Sequence, residues 1–263
     1  GYPAMDDRWV FTEDNPNREV RTAGGLAAAA RVMADYDPDL AARALSAAEA
    51  LVAGSWERAG SVEARTFAAS ELFLTTGDEK YAALLVAMQD EIVANIGSAG
   101  WMVGPVIERI DDTAFVAALD GAVAEHQAGV RERATHTPYG VPYEPNIWGA
   151  GWTIQQFGVE QYFFAKGWPQ HADETYWLDA LNFVLGVHPG ENNMSFVSGV
   201  GANSALVAYG TNRADFSFIP GGVISGTALI RPDLPELKEW PFFWQQTEYV
   251  MGGGATNYMF LAL

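Results

Sequence analysis

The sequence predicts an all-α fold built from helical hairpins. Three observations carry this reading. Apolar residues recur at helical spacing through the first two-thirds of the chain. The periodic segments are joined by short connectors, which pack consecutive helices as antiparallel pairs. Several helix faces are alanine-rich, which lets helices approach closely. The 263 residues show no linker and no shift in composition, so 1–263 read as part of one helical domain.

The elements follow in order. Residues 19–37 form an Ala-rich helix that ends before the turn signal "DPD". Residues 37–54 form a second, with Pro38 near its start and Gly54 at its stop. A third spans 61–78, with Ser61 as its N-cap, and a fourth spans 78–97. In the fourth, Tyr81, Leu84, Leu85, Met88 and Ile92 lie on one face. A fifth spans 111–134 and aligns Phe115, Leu119, Ala122 and His126. On that face His126 reads as a packed or half-buried histidine rather than a metal ligand. The "THTPYGVPYEPNIWGAG" stretch contains three prolines and is a loop. A further helical pair covers 152–167 and 169–187, and in the second Trp177, Leu181, Val184 and Leu185 share a face.

From Val187 to Glu239 the helical pattern stops, and the chain becomes rich in Gly, Asn, Ser and Pro. A loop this long inside a compact domain is usually functional. It leads into the closing stretch "WQQTEYVMGGGATNYMFLAL", where Glu248 sits among Trp244, Tyr249, Val250 and Met251. A carboxylate in apolar surroundings is costly unless bonded, paired or protonated. Glu248 is therefore either a surface residue at a helix start or a carboxyl with a raised pKa, as a general acid requires.

Composition excludes several classes. Fifteen basic against 33 acidic residues give a net charge of −18, which argues against a nucleic-acid partner. No apolar run is long enough to span a membrane. With no cysteine, disulfides and thiolate metal sites are ruled out. "GYPAMDDRWV" has neither an initiator Met nor the pattern of a signal peptide, so a preceding leader or a larger N-terminal portion is expected.

Five stretches, taken together and in order, resemble glycoside hydrolase family nine, the inverting cellulase-type family. Residues 26–51 are similar to its "AARV…YDP…A…L.AA" hairpin, and residues 68–81 to its "AA.EL…TGD..Y" segment. "TPYGVPYEPNIWGAG" resembles its "PYG…WG" loop, and "LNFVLGVHPGENNMSFVSGVG" its "YLLGRNP…SFVTGFG" segment. "TEYVMGGGATNYMFLAL" corresponds to its closing "NE" motif and last helix.

The resemblance implies an (α/α)6 toroid, of which this chain is the C-terminal half or more. It implies hydrolysis of β-linked glycans, cellulose-like or related oligosaccharides, with inversion at the anomeric carbon. It places the general acid at Glu248. Arg213, in "YGTNRADF", falls where the family has its "HHR" substrate-binding motif, although an ordinary loop arginine is the competing reading. Asn212, Asp215 and Tyr209 flank it as further substrate-binding candidates. Trp148 in the "PYG…WG" loop is either a sugar-stacking platform or a tryptophan anchoring the loop.

Three departures qualify the match. Thr211 and Asn212 replace the two histidines, His188 replaces the asparagine of "GRNP", and the "DAGD"-type motif that supplies the catalytic base is missing. Asp111 and Asp112 lack its glycine context. The base, and with it activity, is therefore expected on a preceding N-terminal portion of the same catalytic domain. No cofactor is expected. Calcium occurs in the family, but no ligand spacing for it is legible here. Secretion or export to the periplasm is implied by the resemblance alone. One other reading remains open: a non-catalytic glycan-binding or interaction protein on the same helices. A polysaccharide lyase using Tyr209 and Asn212 is a third reading, against which the ordered family matches argue.

Overall fold

The computed structural model describes residues 13–136, 142, 150–187, 195–204, 208–209, 216–224, 249 and 252–263. The chain divides into two compact units, Gly1–Asn95 and Ile96–Leu263.

In the first unit, α1 (Pro16–Met33) and α2 (Pro38–Ser55) begin in the same way. Asn15 and Asp37 are N-caps whose side chains accept from the backbone N–H of Arg18 at 3.1 Å and of Leu40 at 3.0 Å. Pro16 and Pro38 follow at positions where no N–H is needed. The third helix, α3 (Val62–Thr76), is capped by Ser61 as the sequence predicts and stops at Gly77, whose φ of 67° is a left-handed terminus. α1 packs on both α2 and α3.

The buried surfaces of these helices are largely alanine: Ala23, Ala27, Ala30, Ala48, Ala64 and Ala68. Such small side chains bring the backbones close. A Cβ on Gly24 would lie 2.5 Å from the Phe67 ring. Polar ties cross the same interface. Arg31 bonds Glu71 at 2.7 Å and the Thr75 hydroxyl at 2.8 Å, and that hydroxyl also donates to the Ala27 carbonyl.

The helix expected over 78–97 is broken. It forms α4 (Glu79–Ala87) and α5 (Gln89–Ala94), then α6 (Ile96–Ala99) in the second unit. Met88 leaves the helical region at φ −96°, ψ 10°, and its N–H takes the Leu85 carbonyl in a tightened turn. Tyr81, Leu85, Met88 and Ile92 nevertheless stay buried as one stripe. The periodicity was legible; the kink within it was not.

In the second unit, α6 is followed by single 3₁₀ turns at Gly100–Met102 and Ile107–Arg109, then α7 (Thr113–Ala134), α8 (Ala150–Gly167), α9 (Thr175–Val184) and α10 (Gly253–Ala262). Asp112 caps α7 by accepting from the Phe115 N–H at 2.9 Å. Its buried stripe is Phe115, Leu119, Val123, Gln127 and Val130. Ala122, expected on that face, is only half-buried, and His126 is half-buried, within its expectation. The His126 ring packs 5.3 Å from that of Phe164, and burial pushes its pKa down. The expected helix over 169–187 is shorter, because residues 168–174 turn first and the Asp173 side chain accepts from the Thr175 N–H.

α8 packs against α9 and α10. Gly158 makes the three-way approach feasible, since a Cβ there would lie 2.9 Å from both Ala180 and Leu261. The other end of α8 meets the turn at Gly104. A Cβ on Gly104 would sit 2.2 Å from the Phe163 carbonyl oxygen, and one on Gly167 would sit 2.6 Å from the Gly104 Cα. Both obstacles are backbone, which cannot swing aside. Gly104→Ala is therefore expected to cost about 2 kcal/mol of stability, read from the midpoint of urea denaturation.

Candidate functional site

All the chemistry-bearing candidates fall in the C-terminal third or the proline-rich loop. Glu248, Arg213, Asn212, Asp215 and Trp148 lie outside the described residues, as do His188 and Thr211. Tyr209 is placed by its backbone. What the structure shows is the framework that carries their neighbours in sequence.

That framework rests on α8 and α9. Ile154, Ala180, Phe183 and Val184 form an apolar floor, and Phe196, Ile224 and Tyr249 pack onto it. Phe183 and Phe196 meet edge to face at 5.7 Å. The Phe196 N–H donates to the Val184 carbonyl at 2.7 Å, tying the segment after α9 back onto the helix. A second small cluster pairs Val197 with Val223.

The stretch expected as one long loop from Val187 to Glu239 contains paired backbone. Two short strands, β1 (Ala208–Tyr209) and β2 (Phe216–Ser217), run antiparallel, with Tyr209 opposite Phe216. Isolated bridges join Val197 to Val223 and Ile224 to Tyr249. The Ser198 N–H donates to the Gly222 carbonyl, and the Gly221 N–H to the Ser198 carbonyl. Gly221 has φ 74°, a conformation that suits glycine. Such pairing is irregular and joins residues far apart in the chain, so no two-residue alternation announces it in the sequence.

Tyr249 ties the framework together. Its ring is 5% exposed, and its hydroxyl accepts from the Ile219 N–H at 2.9 Å and lies 2.8 Å from Ser198 Oγ. Gly222 must be a glycine, because a Cβ there would come 2.7 Å from the Tyr249 ring. Three segments distant in sequence thus converge on the residue that directly follows Glu248. The sequence offered Tyr249 only as an apolar neighbour; nothing in it marked Ser198 or Gly222 as its partners. Tyr249→Phe keeps the ring but strips the Ile219 N–H of its acceptor. It is expected to cost about 1–3 kcal/mol, measured by thermal or urea unfolding.

Downstream, α10 begins at Gly253, whose backbone lies under Trp152: a Cβ there would meet the indole Nε1 at 2.9 Å. Asn257 on α10 donates to the Gln156 side chain at 3.1 Å, and Gln156 donates to Glu160 at 3.0 Å. Burial pushes Glu160 up to about 7. This polar chain between α8 and α10 escaped the sequence reading, because glutamine and glutamate in an amphipathic helix look solvent-facing.

Among the described residues, no group of three or more His, Asp or Glu side chains could hold a metal ion, and no helix is long and apolar enough to cross a membrane.

Known structures share this architecture. A metagenome-derived glycoside hydrolase family 9 endoglucanase matches 94% of the chain at a TM-score of 0.68 and 21% identity. The fold is that of glycoside hydrolase family nine. An endoglucanase from the termite Nasutitermes takasagoensis matches 95% of the chain at 0.72 and 18% identity. The cellulase Cel9M of C. cellulolyticium, solved in complex with cellobiose, matches 95% at 0.70 and 17% identity. The chain covers 53%, 65% and 63% of these three chains respectively, so it spans part of the family-nine fold. No protein-family model and no curated protein matches it. The all-α toroid expected from the sequence is thus the fold found, and the chain spans only a portion of it.

Proposed function

We propose that this chain is the acid-bearing part of an inverting β-glycan hydrolase, and that residues 1–263 belong to one catalytic domain. The observation that carries the reading is the family-nine fold match over nearly the whole chain, joined to a closing motif whose carboxylate, Glu248, directly precedes the anchored Tyr249.

In this mechanism the protonated Glu248 gives its proton to the glycosidic oxygen as the bond to the anomeric carbon breaks. A second carboxylate takes a proton from water attacking the opposite face, from roughly 6.5–9.5 Å away. That base belongs to a preceding portion of the domain, because the motif that would supply it is missing from these residues. Cellulose-like glucans and related β-oligosaccharides are the proposed substrates, and the enzyme is proposed to work outside the cytoplasm. Calcium, where the family carries it, has no ligands assigned here.

Arg213, with Asn212, Asp215 and Tyr209, is proposed to line the substrate side of the cleft, and Trp148 to stack against a sugar ring. A guanidinium can bond vicinal hydroxyls in a fixed fork. Arg213→Ala should weaken glycan binding by about tenfold, the loss of one charge-assisted contact, with little change in unfolding midpoint. Calorimetric titration with cellotetraose and a parallel denaturation curve check both halves. Unchanged affinity, or collapse of the fold, counts against the assignment.

A further inference from the structure

We propose that the outer face of α10 is the seat of a helix from the preceding portion of the same domain. That portion comes from the proposed function, which assigns it the catalytic base; the open face of α10 does not depend on it.

α10 lies beside α8 and runs parallel to it. Gly253 sits under Trp152, Asn257 donates to Gln156, and Leu261 closes on Gly158, so the contacts climb both helices in the same direction. α9 runs the opposite way, since Tyr162 meets Trp177 while Gly158 meets Ala180. A hairpin followed by a helix parallel to its first member is the repeating step of a helical toroid. The same step taken once more sets another helix on the far side of α10.

That side is apolar and open. Gly253, Asn257, Phe260 and Leu261 of α10 contact α8, and Tyr258 packs on the clusters around Phe196 and Val197. At 3.6 residues per turn, Ala255, Met259 and Ala262 fall on the opposite face. Met259 is 54% exposed, Ala262 is exposed and Ala255 is half-buried. Among the described residues, α10 is the only helix of eight or more residues without a charged side chain, in a chain of net charge −18. A helix apolar on all sides belongs in an interior. Methionine fills irregular gaps between packed elements, and the alanines beside it admit a close backbone, as they do between α1 and its neighbours.

The size of the face selects the occupant. α10 has 10 residues, a length of about 15 Å, and one side of it cannot supply the roughly 800 Å² per partner of a stable protein–protein interface. A helix in the same polypeptide is already tethered, so it docks without that area. The chain covers 53%, 65% and 63% of three family-nine structures, so that fold has more helices than these residues hold.

The test is peroxide footprinting of methionines, read by mass spectrometry, on residues 1–263 and on the natural polypeptide from its own start through Leu263. Met88 and Met102, 3% and 7% exposed, are the internal references for slow oxidation. In 1–263 Met259 should oxidise at least about tenfold faster than they do, and in the extended polypeptide no faster than they do. Met259→Lys should leave the thermal midpoint of 1–263 in place. It should lower that of the extended polypeptide by at least about 5 °C, because the ammonium is then buried. Fast oxidation of Met259 in the extended polypeptide overturns the inference. So does protection in 1–263 that grows with protein concentration, which marks a second copy as the occupant, and so does a coding sequence with no helices ahead of residue 1. Kinetics of Glu248→Gln test the acid and not this face, so the two proposals fail separately.

Discussion

Replacing Glu248 with Gln, in the polypeptide that also carries the base, should slow hydrolysis of a natural β-glycan by about 10²–10⁴-fold. The amide keeps the size and some hydrogen bonding of the carboxyl but has no proton to give. A sugar alkoxide is a poor leaving group, so the barrier rises by what protonation supplied. An activated aryl glycoside, whose phenolate leaves without help, should lose much less. The alkaline limb of the pH–rate profile, which reports deprotonation of the acid, should vanish in the variant. Steady-state kinetics on both substrate types across pH is the measurement. Near-normal turnover on the natural glycan would make Glu248 a structural residue.

The second large effect concerns stability. Glu160 accepts from Gln156, which accepts in turn from Asn257, and burial raises the Glu160 pKa from 4.5 to about 7. A carboxyl whose folded pKa lies above its unfolded value binds its proton more tightly in the native state. Its favourable contribution is then complete below about pH 4.5 and is lost as pH rises toward 7. A shift of this size corresponds to roughly 3 kcal/mol as an upper bound. Glu160→Gln retains an oxygen for the Gln156 amide and carries no charge. It should match the wild type near pH 4, exceed it by about 2 kcal/mol at pH 8, and flatten the stability–pH curve between. Urea denaturation at pH 4, 6 and 8 reads this directly. An undiminished slope in the variant would mean that Glu160 titrates as an ordinary surface carboxyl.

How much of this was legible in the sequence depends on the kind of order involved. Helices whose stability comes from an apolar stripe and a local cap were plain: Ser61 caps α3, and Pro38 opens α2. The kink at Met88 was not, because it alters one turn while keeping Tyr81, Leu85 and Ile92 on the buried side. On α7 the expected stripe missed Val123, since alanine and valine alternate there and periodicity alone does not say which faces inward. The backbone pairing around Ser198, Gly222 and Tyr249 depends on contacts between segments far apart in the chain, and spacing carries no record of those. Glu160 illustrates the same limit: the Gln156 amide that donates to it is itself held by Asn257 of α10, a partner that no local spacing records. Glu248 stood out by its apolar context, but its role, and those of Arg213 and Trp148, came from the ordered family motifs.

Inversion by a positioned acid and a distant base is the central claim, and the configuration of the first product tests it most directly. Proton NMR of a digest, recorded within the first minutes before mutarotation, distinguishes the outcomes. Cleavage of a β-linked cello-oligosaccharide should release the α-anomer first, with the β-anomer growing in only as the sugar equilibrates. Initial release of the β-anomer would mean a retaining double displacement, and an unsaturated product would mean elimination by a lyase; either result would contradict the account.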